Sequence, residues 1–291
     1  MSTLETTVES DVEPIRIFIG SGEASVLERK VLMYSLHKHS TRRMDIRVFN
    51  GTHNTIEHAG GFDPAPLSLR AKYRSGDTEF GLYRYLMPEL CGRAGRALYL
   101  DSDIVCLSDI GVLFDSPLDG ADFAGVPFTT ANNERRWTTA VMLVDCERLE
   151  FDLELIFDEI DRGLYDQGDF MQISPRFLAT HPYRVGTFNP AWNSLDTADH
   201  DTKMIHFTNM YTQPWKHRNH AFGAIWFQYF REALTAGWVT EADIETALRR
   251  SYVRSDLRRA FGSRERMLSR LQRLRLPWKQ ILGRVQEPGY D

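Results

Sequence analysis

The first 50 residues alternate between apolar runs and a helical pattern, and this alternation restricts the fold more than any other feature. Ile15 to Ile19 is a short apolar run closed by Gly20-Ser21-Gly22, which predicts a strand and a glycine turn. Ala24 to His39 has apolar residues at helical spacing, and Ile46 to Phe49 predicts a second strand. This order is typical of a parallel crossover, so we expect an α/β sheet.

The composition is that of a globular protein, with 42% hydrophobic and 26% charged residues among 291. No run reaches the roughly 18 apolar residues that a membrane-spanning helix needs. The acidic first 14 residues lack the basic and apolar pattern of a secretory signal, and the three cysteines show no metal-type spacing. We therefore expect a cytoplasmic protein with reduced, buried thiols.

The charge is unevenly distributed along the chain. Residues 241–291 carry 12 Lys and Arg against 7 Asp and Glu, so the net charge of −5 leaves −10 on residues 1–240. This acidic body argues against nucleic-acid binding. Arg264 to Val285 has the pattern of a basic amphipathic helix interrupted at Pro277, which either lies on an anionic membrane surface or packs on protein. We expect an extension (1–14), a folded domain (15–240) and a basic helical tail (241–291).

Other segments complete the expected α/β pattern. Strands are predicted at Ala97–Leu100, Ile104–Leu107, Phe123–Phe128, Ala140–Val144 and Lys203–Phe207. Helices are predicted at Thr78–Leu90, Leu149–Gly163, Gly168–Leu178 and Phe222–Ala236. Thr52 to Ser75 predicts loops with one short helix at most, and Asn132 to Trp137 a polar surface loop.

Two aspartates one residue apart follow the apolar run that ends at Leu100. Alternate residues of an extended chain point the same way, so Asp101 and Asp103 can address one point. Carboxylate oxygens suit Mg²⁺ or Mn²⁺, and ligands in open α/β sheets bind outside the carboxyl ends of strands. The triplet Asp101-Ser102-Asp103 therefore predicts either a metal site or, as the simpler alternative, a solvated turn or helix cap.

A histidine far along the chain supports the metal alternative. His206 leaves an apolar strand into a polar loop, and neutral imidazole is an acceptable Mn²⁺ ligand beside carboxylates. A single histidine in this setting is more often structural. The two features together favour a three-ligand site.

Four motifs in a fixed order carry a family resemblance: Tyr83-Arg84-Tyr85, the YLDSD run ending at Asp103, Asp166-Gln167, and His206-Phe207 followed by Pro214-Trp215. Over residues 15–235 the chain resembles glycosyltransferase family 8, which contains glycogenin and the bacterial lipooligosaccharide galactosyltransferases. The resemblance implies a GT-A fold, a Rossmann-like mixed sheet flanked by helices. It also implies transfer of a hexosyl group from a UDP-sugar to a glycan, glycolipid or protein hydroxyl, with Mn²⁺ or Mg²⁺ and retention of configuration.

The resemblance assigns roles to individual residues. Asp101, Asp103 and His206 match the metal ligands. Gln167 matches a residue beside the anomeric carbon, and Asp166 one that contacts sugar hydroxyls, with Asp169 as a rival carboxylate or a plain helix N-cap. The residues implied in donor binding are Ile19, Gly20, Ser21, Glu23, Arg84, Ser102, Thr138, Thr139, Asn209, Gln213 and Lys216.

The chain departs from the family pattern near the diphosphate and the sugar. Thr138-Thr139-Ala140 stands where the family has Asn-x-Gly, and Asn209 where it commonly has Gly. Gln213 replaces the usual diphosphate-binding lysine. Lys216, Lys203 or Arg84 can take over that charge, while Lys216 is equally well a plain surface residue.

Two further points stay open at the level of sequence. Trp192 is either a platform for an acceptor sugar or a buried core residue. The other functions considered are a sugar nucleotidyltransferase, which usually starts with a glycine-rich, lysine-bearing loop, and a non-catalytic nucleotide-sugar-binding protein. Gly20-Ser21-Gly22-Glu23 has no basic residue, which argues against the nucleotidyltransferase.

Overall fold

The computed structural model describes residues 13–68 and 78–259, and these form a mixed α/β structure. The strands are β1 (Ile15–Ser21), β2 (Met44–Asn50), β3 (Thr55–His58), β4 (Gly61–Pro64), β5 (Arg96–Asp101), β6 (Ile104–Cys106), β7 (Phe123–Thr129), β8 (Arg135–Asp145), β9 (Val185–Thr187), β10 (Ser194–Leu195) and β11 (Met204–His206). The α-helices are α1 (Val26–His39), α2 (Met87–Leu90), α3 (Ile110–Phe114), α4 (Leu153–Asp161), α5 (Gln167–Met171), α6 (Pro175–Thr180), α7 (Gly223–Thr235) and α8 (Glu241–Arg249).

The main sheet has eight strands in the order β4-β3-β2-β1-β5-β8-β7-β9. β1 pairs in parallel with both β2 and β5, and α1 makes the crossover between β1 and β2. β8 runs antiparallel between β5 and β7. The parallel crossover and α/β class expected from the first 50 residues are therefore confirmed.

A second sheet holds three short strands in the order β10-β11-β6. β6 begins three residues after β5 ends, so the turn at residues 102–103 links the two sheets. β11 runs antiparallel to β6, with His206 opposite Ile104. This register places the end of β11 beside the turn.

Three apolar clusters hold the layers together. Phe18 and Tyr99 face one side of the main sheet and pack with Phe170 of α5. Leu98 and Leu100 face the other side, in a cluster that includes α3. The third cluster lies under α1, α7 and α8 and joins Trp226 to residues as late as Leu257. The packed part of the chain thus continues past residue 240, where the sequence placed the start of the tail.

Two expected loops are strands instead. Thr52 to Ser75 contains the hairpin of β3 and β4, which extends the main sheet at its edge. Ile56 is the one buried apolar side chain of β3 and β4, and β4 is exposed, so the hairpin has too little alternation to be recognised. The expected surface loop at Asn132 to Trp137 is confirmed for residues 132–134 and wrong for the rest, because Arg135–Trp137 begins β8 and Trp137 is buried.

Two expected helices are shorter or divided. Thr78 to Leu90 contains a 3-10 turn at Tyr83–Leu86 followed by the single turn of α2. Gly168 to Leu178 is split into α5 and α6, since Ile173 between them has φ of +49° and Ser174 caps α6 by accepting the Phe177 N–H. Within the described ranges, every helix falls short of the length and apolarity needed to cross a membrane. The tail helix expected at Arg264 to Val285 lies outside the described residues.

Candidate metal centre

Asp101, Asp103 and His206 meet at the carboxyl end of β5. One ligand atom from each of the three side chains lies within 4.8 Å of the other two. The carboxylates are partly open, with 20% of Asp101 and 24% of Asp103 exposed, while 4% of the His206 side chain is exposed. Residues more than 100 positions apart thus form one cluster that faces solvent through its oxygens.

Backbone pairing explains why His206 reaches the two aspartates. β11 runs antiparallel to β6, and the Phe207 N–H continues the ladder by donating to the carbonyl of Asp103 at 3.0 Å. The His206 ring then places Nε2 at 2.9 Å from Asp103 Oδ1. Burial by itself lowers the pKa of His206, but the carboxylates of Asp103, Asp101 and Asp196 together leave this pKa raised.

Two donors orient Asp101. The Tyr99 hydroxyl donates to Oδ1 at 2.8 Å, and Nη2 of Arg84 donates to the same oxygen at 3.2 Å. Burial raises the pKa of Asp101, and the positive charge of Arg84 opposes that rise. The two donors oppose protonation of this carboxylate and direct it toward the cluster.

Arg84 is itself held on several sides. Its Nε donates to the Gly81 carbonyl at 2.7 Å and its Nη1 to the Thr139 hydroxyl at 2.8 Å, while its guanidinium lies 4.5 Å from the centre of the Tyr99 ring. Thr139 is buried and donates onward to the Met171 carbonyl at 3.0 Å. Thr139, expected to contact the donor, therefore connects Arg84 to the end of α5.

Gln213 takes a different position from that of a phosphate-binding lysine. Its side-chain amide donates to the Phe207 carbonyl at 2.9 Å and to Asp103 Oδ2 at 3.3 Å, and 5% of the residue is exposed. The Lys216 side chain is exposed close by, whereas Lys203 lies over the Trp192 ring before β11 begins. Gln213 thus fixes the Asp103 carboxylate, and Lys216 is an exposed basic residue three positions further along the chain.

The Asp196 carboxylate holds the loop after β11 in place through hydrogen bonds. Asp196 accepts from the Thr208 hydroxyl at 2.6 Å, from the Asn209 N–H at 3.0 Å and from His220 Nε2 at 3.1 Å. His220 is buried. Asn209, a predicted donor-binding residue, is therefore held in place through its backbone beside the metal cluster.

The predicted nucleoside loop lies at the end of β1, next to Asp101. Gly20 is paired with Asp101 across the parallel strands. Ile19, Gly20, Ser21 and also Ser102 are buried. The Glu23 carboxylate is half-exposed, lies 3.0 Å from His53 Nε2 and 3.4 Å from the Tyr252 hydroxyl, and lines a cavity of about 190 Å³.

α5 carries the two candidate sugar carboxylates in a reciprocal cap. Asp166 is the N-cap and accepts from the Asp169 N–H at 2.7 Å, while Asp169 accepts from the Asp166 N–H at 3.2 Å. The N-cap alternative for Asp169 is therefore wrong. Asp169 is buried and pairs with Arg136 at 3.1 Å, whereas Asp166 is exposed and Gln167 half-exposed.

Several residues of this site carry no sequence signal of their own. Tyr99 reads as a strand residue, Arg136 as part of a surface loop and Asp196 as a loop aspartate. Their roles come from pairs that are distant in sequence, which no local pattern records.

Trp192 is 3% exposed and packs in the second apolar cluster, so its face is not open to an acceptor sugar.

Several solved structures have a fold similar to that of this chain. No protein-family model and no curated protein matches this sequence. The galactosyltransferase LgtC, solved in complex with donor and acceptor sugar analogues, is similar with a TM-score of 0.56 at 14% identity, over 78% of this chain and 98% of LgtC. The glycosyltransferase GlyE of Streptococcus pneumoniae TIGR4 gives a TM-score of 0.55 at 16% identity, over 77% of this chain and 63% of GlyE. The chain has a glycosyltransferase fold.

A third structure with this glycosyltransferase fold is the bifunctional glycosyltransferase WbbM in its apo form. It matches with a TM-score of 0.52 at 15% identity, over 75% of this chain and 49% of WbbM. The chain thus spans about half the length of WbbM and nearly all of LgtC. The GT-A fold expected from the sequence is confirmed by these likenesses together with the mixed eight-stranded sheet.

Proposed function

We propose that this protein is a metal-dependent, retaining glycosyltransferase. It transfers a hexosyl group from a UDP-sugar to a hydroxyl of a glycan, glycolipid or protein acceptor. The observation that carries the proposal is the meeting of Asp101, Asp103 and His206 at the carboxyl end of β5, in a chain with a glycosyltransferase fold. LgtC, which shares the fold, was solved with donor and acceptor sugar analogues.

The side chains present fit a divalent cation. Two carboxylates and one imidazole supply oxygen and nitrogen ligands within 4.8 Å of one another, a set that suits Mn²⁺ and, less well, Mg²⁺. Both carboxylates have a neighbour that orients them: Tyr99 for Asp101 and Gln213 for Asp103. When bound, such a cation offsets the negative charge that develops on the departing diphosphate.

The protein's own residues bind and orient the two ends of the donor. The nucleoside lies along Ile19 to Glu23, at the end of the strand paired with Asp101. Lys216, an exposed residue three positions after Gln213, supplies positive charge for the phosphates. Ser102 and Asn209 complete the donor-binding set.

The sugar end of the donor lies against the start of α5. Asp166 accepts hydrogen bonds from sugar hydroxyls, because it is exposed while Asp169 is buried against Arg136. Gln167 lies beside the anomeric carbon. The bond from that carbon to the diphosphate oxygen breaks, the acceptor oxygen bonds to the same face, and the acceptor proton passes to the departing phosphate oxygen.

A donor panel tests this proposal. The full chain is incubated with Mn²⁺ and a set of UDP-sugars, with and without candidate acceptors, and release of UDP is measured. We expect release from one sugar, and its loss in Asp103→Asn. Asp201→Asn makes the same change on an exposed loop residue and is expected to keep wild-type turnover.

Two results would point elsewhere. Production of a sugar nucleotide from a sugar phosphate would identify a nucleotidyltransferase, and UDP-sugar binding without release under any condition would identify a binding protein. Mn²⁺-dependent turnover that survives Asp103→Asn would contradict the metal assignment.

Peripheral contact with an anionic membrane surface is a further part of the proposal, supported by the basic amphipathic pattern of Arg264 to Val285. Sedimentation of the full chain with phosphatidylglycerol vesicles, and not with phosphatidylcholine vesicles, is the expected result. Equal recovery with both would contradict it.

A further inference from the structure

Asn193 lies behind the metal cluster, on the side away from solvent. It ends the 3-10 turn Pro190–Asn193, and the next residue begins β10, which pairs in parallel with β11. This places Asn193 beside His206, and 4% of Asn193 is exposed. A buried amide in this position is costly unless both of its ends are hydrogen-bonded.

Both ends of the amide have partners that matter for the site. Asn193 Oδ1 is 2.9 Å from Nδ1 of His206, and Asn193 Nδ2 donates to the Thr138 hydroxyl at 3.0 Å. With Nδ2 directed to Thr138, the amide oxygen faces the ring and accepts the Nδ1 hydrogen. Nε2 then lies on the side of Asp103 and Asp101, where its lone pair would be available to a cation.

We propose that Asn193 is a positioning residue for His206, and that the Thr138 hydroxyl fixes the Asn193 amide so that His206 offers Nε2 to the cation. This inference rests on the proposed metal-dependent function. The inference gives Thr138 a different role from the donor contact that the family resemblance implies, because the Thr138 hydroxyl accepts a hydrogen bond from Asn193. Residues 138, 193 and 206 then form one chain of hydrogen bonds that ends at the metal.

The reverse orientation of the amide makes the inference testable. If Nδ2 donated to Nδ1 of His206, the ring hydrogen would lie on Nε2, and this nitrogen would have no lone pair for a cation. A carboxylate at position 193 can only accept, so it enforces the orientation that we infer. An apolar side chain of similar size makes no hydrogen bond to Nδ1 of His206, so it favours neither position of the ring hydrogen.

The test measures Mn²⁺ affinity directly. The metal-free full chain is titrated with Mn²⁺, and the electron paramagnetic resonance signal reports the ion that stays free. Asn193→Leu is expected to weaken binding by about 10- to 100-fold, the usual loss when a partner of a metal-bound histidine is removed. Asn193→Asp is expected to restore most of the affinity. Thr138→Val is expected to weaken binding, and Thr138→Ser to keep it.

A matched control separates positioning from folding. Asn189 caps the same 3-10 turn by accepting the Ala191 N–H, and it is exposed. Asn189→Ala weakens the turn without touching His206, so its melting temperature is expected to fall while Mn²⁺ affinity is unchanged. If Asn193→Leu does not fold, the pair of variants at Thr138 decides the question.

The outcomes distinguish this inference from the function on which it rests. Wild-type protein that binds no Mn²⁺ would overturn both. Wild-type protein that binds Mn²⁺, with Asn193→Leu and Thr138→Val binding it equally well, would overturn only the positioning role. The same holds if Asn193→Asp loses as much affinity as Asn193→Leu.

Discussion

The Tyr99 hydroxyl occupies the space that a Cβ atom at Gly20 would need, since it lies 2.0 Å from the position of that atom. The two residues belong to neighbouring parallel strands, and Gly20 is paired with Asp101. The same hydroxyl donates to Asp101 at 2.8 Å. Glycine at position 20 therefore allows the hydrogen bond that orients Asp101, a proposed metal ligand.

Replacing this glycine tests the relationship. We expect Gly20→Ala to lower the free energy of unfolding by about 1 to 3 kcal/mol, because the added methyl group displaces both Tyr99 and Phe80. Mn²⁺ affinity is expected to fall as well. Adding Tyr99→Phe to this variant removes the nearest clashing atom, so denaturant unfolding should show part of the stability restored. Strictly additive losses in the double variant would contradict the close approach.

Tyr99→Phe alone removes one donor to Asp101 and leaves Arg84 in place. We expect Mn²⁺ affinity to fall by about tenfold, a typical effect of losing a hydrogen bond to a metal ligand. Tyr165→Phe is the control, since Tyr165 is also buried and donates to a carboxylate, that of Glu159, at 2.6 Å. It should lower the melting temperature and leave Mn²⁺ binding unchanged; equal effects of the two changes on affinity would argue against a special role for Tyr99.

Arg136 connects the start of β8 to the sugar end of the site through Asp169. We expect Arg136→Met to lower kcat for transfer by roughly tenfold or more, because α5 loses a fixed partner and misplaced groups react slowly. Mn²⁺ affinity should stay at the wild-type value. The neighbouring Arg135 is exposed and lies over the Trp137 ring, so Arg135→Met is expected to leave kcat unchanged. A large loss of Mn²⁺ affinity in Arg136→Met would show that the sugar end of the site and the metal cluster are not independent.

Glu28 gives the stability of the fold a dependence on pH. Burial raises its pKa from 4.5 to about 8, although its own backbone N–H and the charge of Lys216 oppose the rise. Between these values the folded chain holds a proton that the unfolded chain has lost, so the free energy of unfolding falls as pH rises through this window. Each unit of pKa difference contributes about 1.4 kcal/mol, so the loss over the window is on the order of a few kcal/mol.

Glu28→Gln removes this titration and keeps the shape of the side chain. We expect the variant to lose less stability than the wild type between about pH 5 and pH 8, as measured by thermal melts at several pH values. Glu245→Gln, on the exposed face of α8, should follow the wild-type profile. Parallel profiles for wild type and Glu28→Gln would show that Glu28 ionises normally in the folded chain.

Much of the framework follows from the sequence because it is carried by local patterns. The β1–α1–β2 unit has clear periodicity, and Asp101 and His206 both follow apolar strands, so their positions at strand ends were predictable. The β3–β4 hairpin was missed because Ile56 is its one buried apolar side chain. The division of α5 from α6 at Ile173 depends on a positive φ, which apolar spacing does not record.

The supporting contacts of the site were not predictable in the same way. Gln213 was identified by its departure from the family pattern, but its partner Asp103 lies 110 positions away. Arg136 and Asp169 are separated by 33 residues, and each has an ordinary local interpretation. Side-chain geometry between distant segments decides these pairs, and a single sequence carries no record of it.

The proposed metal ligands come from two sheets that share no strand. Asp101 ends β5 of the large sheet, His206 ends β11 of the small one, and Asp103 lies in the short turn between them. A cation held by all three would act as a removable cross-link between segments that are otherwise joined by that turn, by apolar packing and by hydrogen bonds such as that from Asn193 to Thr138. Occupancy would then stabilise the small sheet selectively, so the amide hydrogens of β11 should exchange more slowly with Mn²⁺ present than those at the far edge of the large sheet. The polar loop that follows β11 would then become more ordered when the metal concentration is high enough to fill the site.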